Sequence, residues 1–144
     1  MQVPHRSGSS ATAWEYVGEC LRTLAHKRGR RSTLDPRAGG RFRFVQRAPD
    51  CREHAFHGVY REVDRPQRLV RTFVYVGAPD DESVETVTFQ CDGRGTLITS
   101  ASVFPSFSAR EFYAQGGMEV GLRESHQRLD EWLEAIRNET NRRQ

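Results

Sequence analysis

Apolar and polar positions alternate with a period of two between Arg41 and Phe104, and with a period near 3.6 on either side of that stretch. "RFRFVQRA" (41–48) sets Phe42 and Phe44 on one face and Arg41 and Arg43 on the other. After a turn at "APDCRE" (48–53), "HAFHGVYREV" (54–63) places Phe56, Gly58 and Tyr60 on a common face. "DRPQ" (64–67) turns the chain again, and "RLVRTFVYV" (68–76) brings Phe73 and Tyr75 to one side. An acidic loop, "GAPDDES" (77–83), is expected next. "VETVTFQC" (84–91) and "TLITSASVF" (96–104) flank "DGRG", a hairpin signal. Strands joined by short turns without intervening helices predict an antiparallel meander of five or six strands.

Helical spacing frames this sheet. Trp14, Val17, Leu21, Leu24 and Ala25 share a stripe over 11–26, with Ser10 placed as N-cap and Gly29 as stop. "TLDPRAGG" (33–40) supplies a short extended piece and a turn. Ser108, with Glu111 three residues on, marks the start of a short helix. The longest helix is expected over Gly116–Ile136. Met118, Leu122, Ser125, Leu129, Trp132, Leu133 and Ile136 form its apolar stripe, which covers one face of the sheet. Its opening holds Gly116, Gly117 and Gly121, which are weak helix formers. They read as a linker running into a helix, or as a widened mouth between helix and sheet.

The length of 144 residues fits one domain. Residues 1–10 are expected as a disordered tail, 11–137 as the domain and 138–144 as a polar tail. No apolar run is long enough to span a membrane, and no secretory h-region opens the chain. Cys20, Cys51 and Cys91 are widely spaced, with no CxxC pair, which points to free thiols in a reducing cytoplasm. Charge is uneven. Residues 1–47 hold 10 Lys or Arg against 3 Asp or Glu, and the rest hold 12 against 16. Only "HKRGRR" (26–31) is dense, and no aromatic residues interleave with it, so a nucleic-acid partner is not expected.

Catalytic and metal chemistry find little support. His54 and His57 fall on opposite faces of one strand. Ser125 and His126 diverge by about 100° on a helix, so they form no couple. Glu124 and Arg128 suit a surface ion pair. Asp80, Asp81 and Glu82 lack the regular ligand spacing of a calcium loop. No catalytic residue, metal ligand or cofactor site is identified. What remains is an apolar inner face with a few hydroxyls. Phe42, Phe44, Phe56, Tyr60, Phe73 and Tyr75 supply its aromatic part. Ile98, Ser100 and Ser102 come from the last strand, and Met118, Leu122 and Ser125 from the helix stripe. Buried hydroxyls need partners, which nearby backbone or a bound ligand can supply.

The runs "DPRAGGRFRFVQRAPD" (35–50), "FHGVYREVDRPQRLVRTF" (56–73), "VTFQCDGRGTLIT" (87–99) and "GGMEVGLRESHQRLDEWL" (116–133) keep a consistent order and spacing. Together they resemble the activator of heat-shock chaperone ATPase homologues, a branch of the START-like (SRPBCC) superfamily, over about residues 33–136. The resemblance implies an α+β helix-grip fold: a curved antiparallel sheet packed around a long C-terminal helix, here with an N-terminal helix added. It also implies a hydrophobic cavity between sheet and helix. Residues 1–32 show no counterpart of the family's first strand, and the tryptophan pair expected before the GG turn is missing, so 11–32 is atypical. An edge left bare in this way invites pairing with a second copy of the chain.

Three functions follow as expectations. The first is binding of a hydrophobic or aromatic small molecule in the cavity. The second, implied by the resemblance alone, is stimulation of a heat-shock chaperone ATPase. The eukaryotic activators carry a further chaperone-binding domain, for which 144 residues leave no room. The third is a cyclase or hydrolase, which would need two close, buried titratable groups.

Overall fold

The computed structural model describes residues 2–4, 32–47, 50–91 and 95–143 of the chain. Seven antiparallel strands make one sheet in the order β1-β7-β6-β5-β4-β3-β2. They are β1 (Gln2–Pro4), β2 (Ser32–Leu34), β3 (Arg41–Arg47), β4 (Glu53–Asp64), β5 (Arg68–Tyr75), β6 (Ala78–Cys91) and β7 (Gly95–Val103). Two helices follow, α1 (Phe107–Gln115) and α2 (Met118–Arg142). This is the expected α+β helix-grip architecture, a curved sheet with its long helix at the C-terminal end. No helix among the described residues is long and apolar enough to cross a membrane.

The two-residue alternation is physically anchored in β3 to β7. Residues directly opposite in an antiparallel pair share a face. Phe42 pairs with Gly58, Phe44 with Phe56, and Phe56 with Tyr75. Leu69 pairs with Val87, and Phe89 with Ile98. These residues make up the inner face, and Phe42, Tyr60, Leu69, Val87 and Phe89 form its buried core. Two irregularities interrupt the ladder. Tyr60 pairs with Arg71 but Glu62 pairs with Val70, so Arg61 is an extra residue in β4. The bulge switches the strand's parity, which is why Val63, not Glu62, joins the core. In β6, Ala78 pairs with Tyr75 and Ser83 with Phe73, so residues 79–82 bow out of the ladder.

Several expectations are corrected. The acidic stretch 77–83 is not a free loop. Val76 and Gly77 suffice to turn the chain, and Asp80, Asp81 and Glu82 lie within the long strand β6. The sheet edge beside β7 is not bare, since Gln2–Pro4 pairs there, with Val3 opposite Thr96. A strand therefore stands inside the segment expected as a disordered tail. The helix expected over 11–26 lies outside the described residues. At the other end, α2 continues through Arg142, into the stretch expected as a polar tail.

The short helix is capped two residues earlier than expected. Ser106, not Ser108, is the N-cap, and its Oγ accepts the Ala109 N–H at 3.0 Å. Ser108 instead packs its hydroxyl against that of Ser106, 3.0 Å away. α1 is pinned to the sheet by Tyr113. Its Oη accepts the Tyr75 N–H at 3.3 Å and donates to the Asp81 carbonyl at 3.5 Å, at the bow in β6.

The glycines at the start of the long helix divide into two roles. Gly116 ends α1, its N–H donating to the Phe112 carbonyl at 2.9 Å. Gly117 has φ +88°, a conformation that disfavours any side chain, and it redirects the chain so that α2 begins at Met118. These two are a linker between helices. Gly121 lies within α2, and a Cβ there would meet nothing within 4 Å. Along α2, Leu133 is buried at 6% exposure, while Met118 and Leu122 are 43% and 42% exposed. Val120, on the opposite side of the helix, is 62% exposed, so the first turns of α2 face solvent on both sides. The side chains of Leu129, Trp132 and Ile136 lie outside the described residues.

These roles separate by mutation. Gly117→Ala should destabilise the protein by about 1–2 kcal/mol, from left-handed backbone strain. Gly121→Ala should stabilise it by up to about 1 kcal/mol, from helix propensity. Chemical denaturation measures both, and equal effects would contradict the division. By the same measurement, Leu133→Ala should cost about 2–5 kcal/mol, whereas Ala at the exposed Glu131 should change stability by less than about 0.5 kcal/mol.

Candidate binding site

The inner face carries a connected series of aromatic rings. Phe42 and Phe44 lie 6.2 Å apart between centroids, Phe44 and Phe56 5.1 Å, Phe56 and Phe73 5.3 Å, and Phe56 and Tyr75 5.3 Å. These separations are those of direct ring contact. The series continues to His54, whose Nδ1 lies 2.8 Å from the Tyr75 Oη. Burial grades along it. Phe42 is 1% exposed, while Phe44, Phe56, Phe73 and Tyr75 are half-buried and keep part of each ring accessible.

A polar row crosses the same face. Tyr60 on β4 stands opposite Arg71 on β5, Arg71 opposite Glu85 on β6, and Glu85 opposite Ser102 on β7. The row runs from a fully buried Tyr60 to an exposed Ser102. The Arg71 side chain is 9% exposed and that of Glu85 16%, and the Arg71 Nε donates to the Glu85 Oε2. The guanidinium also rests on aromatic faces, with Cζ 4.8 Å from the Phe42 centroid and 5.7 Å from that of Phe73. Two buried polar atoms of this row, the Tyr60 Oη and the Arg71 Nη1, have no hydrogen-bond partner among the described residues. Burial raises the Tyr60 phenol above its ordinary pKa, and the adjacent Arg71 charge offsets part of that rise.

Phe42, Phe44, Phe56, Tyr60, Phe73, Tyr75 and Ile98 thus come together on one face, as the alternation predicted. Ser100 and Ser102 lie on that face, opposite Val87 and Glu85, and both are exposed. Met118 and Leu122 are on the exposed first turns of α2. The Ser125 side chain lies outside the described residues. His54 and His57 do point to opposite faces: His54 meets Tyr75 on the inner one, and His57 is exposed. Among the described residues no cluster of His, Cys, Asp or Glu side chains could hold a metal ion. Arg71 and Glu85 were missed. A charged residue in a strand reads as solvent-facing, yet Arg71 sits at an inner position between Leu69 and Phe73, and that parity was the available signal.

The chain belongs to the family described as Activator of Hsp90 ATPase homolog 1-like protein, whose model matches residues 12–134. No curated protein matches the sequence. A solved structure of a protein from Rhodobacter sphaeroides is similar, with a TM-score of 0.73 and 23% identity over 92% of this chain and 89% of that one. A protein from Mycobacterium smegmatis gives a TM-score of 0.74 at 20% identity, over 88% and 84%. One from Nitrosomonas europaea gives 0.73 at 17% identity, over 96% of both chains. At these identities the likeness establishes the fold.

An unpartnered buried hydroxyl costs stability, so removing it should restore some. Tyr60→Phe is expected to stabilise the ligand-free protein by about 1 kcal/mol in chemical denaturation. The alkaline limb should change too. Above pH 10 the unfolded chain releases the Tyr60 proton while the folded chain keeps it, so stability falls as pH rises. Tyr113, also raised by burial, contributes in the same direction. Tyr60→Phe should flatten that fall without abolishing it. A destabilised variant with an unchanged alkaline slope would mean that the Tyr60 hydroxyl is satisfied in the folded protein.

Proposed function

With family membership as the premise, we propose that this chain is a small START-like domain that binds a hydrophobic or aromatic molecule between the inner sheet face and the C-terminal helix. The observation that carries the reading is the half-buried aromatic series Phe44, Phe56, Phe73 and Tyr75. Rings in mutual contact that keep accessible faces offer an apolar surface with little rotamer entropy to lose. The exposed apolar side chains of Phe112, Met118 and Leu122 supply a second apolar surface at the start of the helical segment. Ser100 and Ser102 add hydroxyls at the β7 side. Cys51 and Cys91 are free and exposed, which suits a reducing cytoplasm.

Stimulation of a chaperone ATPase has family membership as its support, and no surface feature among the described residues adds to it. An enzymatic reading would draw on Tyr60, Arg71 and Glu85. Glu85, however, is engaged by Arg71, and burial keeps Tyr60 protonated. Neither is a free base, and binding is the better-supported reading.

A thermal-shift screen with fatty acids, polyketides and flavonoids tests the proposal. At concentrations about 100-fold above Kd, a bound ligand contributes about 2.7 kcal/mol, which raises Tm by several degrees. Phe56→Ala removes the central ring of the series and should weaken that shift strongly. Absence of any stabilising compound, or a shift indifferent to Phe56→Ala, would overturn the proposal.

A further inference from the structure

The aromatic face explains affinity for an apolar body but gives it no orientation. The polar row does. Tyr60 is 0% exposed and the Arg71 side chain 9%, and both flank the ring of Phe42, Tyr60 at 5.5 Å and the guanidinium at 4.8 Å. They face each other across the β4–β5 ladder at the bulge, where an extra residue re-aims the strand. Although the guanidinium lies close enough to the phenol to lower its pKa, neither the Tyr60 Oη nor the Arg71 Nη1 has a partner of hydrogen-bond geometry among the described residues. A guanidinium has only donors, and a buried neutral phenol has a donor to spend. Two buried, unpartnered donors that flank one ring of an apolar face call for an acceptor. The charge balance limits its kind. Glu85 already neutralises Arg71 through Nε, so a carboxylate placed on Nη1 would come close to the Glu85 charge without a cation of its own.

We infer that Tyr60 and Arg71 form a two-donor subsite for a neutral carbonyl oxygen carried by an aromatic or apolar ligand. The inference rests on the proposed binding function and names the ligand class for it. Arg71 is a binding residue in this arrangement, Glu85 holds it in place, and the ligand skeleton lies on Phe44, Phe56 and Phe73. Ligands of this class include aromatic ketones and quinones.

Two probes share one tricyclic skeleton and differ only at C9, a methylene in fluorene and a carbonyl in 9-fluorenone. Isothermal titration of the full chain should give binding of both, with the ketone about tenfold tighter, or about 1.4 kcal/mol. Tyr60→Phe should reduce the ratio to about threefold. The paired variant Arg71→Met with Glu85→Leu, which strands no buried charge, should reduce it further towards unity. The infrared carbonyl stretch of bound 9-fluorenone should lie below its value in hydrocarbon solvent, and Tyr60→Phe should move it back up. Equal affinity of the wild-type chain for the two probes would overturn the inference while leaving the apolar site intact. That result is expected if an ordered water alone fills the subsite. Tighter binding of fluorene-9-carboxylate than of the ketone would overturn the neutral-acceptor assignment. If neither hydrocarbon nor ketone binds, the apolar site itself falls, and the subsite with it.

Discussion

The ring of Phe42 lies against the one residue of β4 that has no side chain. A Cβ at Gly58 would sit 2.6 Å from the Phe42 Cε1 and 1.9 Å from the Thr72 carbonyl oxygen, so neither ring nor backbone leaves room for one. This close approach lets Phe42 contact Phe44, Tyr60, Phe73 and the Arg71 guanidinium at once. The chain before β3 is built to hold that position. Gly39 has φ +81° and donates its N–H to the Tyr60 carbonyl at 2.7 Å, and the Gly40 carbonyl accepts the Tyr60 N–H at 2.9 Å. The GG turn therefore clamps the backbone of Tyr60 while Phe42 packs against its ring. Turn, strand and core are coupled through one residue.

That coupling gives the bulge at Arg61 its consequence. Tyr60 is the last residue of β4 in the original parity, and beyond it Val63 continues the core. In regular alternation, with no bulge, Glu62 would follow Tyr60 on the inner face, where the nearby Arg71 is already engaged by Glu85. The bulge sends Glu62 outward, where it pairs with Arg68 at 3.3 Å on the surface. The inner face keeps one ion pair and a phenol in place of two carboxylates against one arginine. A surface pair contributes little to stability, so the gain from the bulge lies in what it keeps out of the core.

How much of this could be read in the sequence depended on which forces set each position. The faces of β3 and β4 were legible because one side is buried, and a one-residue slip would invert it. The start of β6 was not legible, because its acidic residues resemble a loop and only ladder hydrogen bonds make them a strand. Ser106 and Ser108 are equally good caps by type, and the helix start at Phe107 decides between them. Bulges leave no compositional mark, so the inward turn of Val63 could not be anticipated. The aromatic lining was legible as alternation, whereas Arg71 was hidden by its charge. Met118 and Leu122 have the spacing of a buried stripe, but periodicity reports which residues share a side and not whether another surface covers that side.

The polar row gives that last distinction its weight. A sheet face designed only for stability would place aliphatic residues at 60, 71 and 85, since a buried ion pair contributes no more than well-packed apolar side chains and an unpartnered hydroxyl costs free energy. Here the costly groups are consecutive across three strands, graded from the buried Tyr60 to the half-buried Glu85, and they end at the exposed Ser102. Departures from the local rules of stable folding concentrate at functional or strained sites, and the proposed subsite rests on such a departure. The aromatic series alone could be a core that is incompletely covered. The two unpartnered donors beside it are what the proposed binding reading accounts for and an incompletely covered core does not.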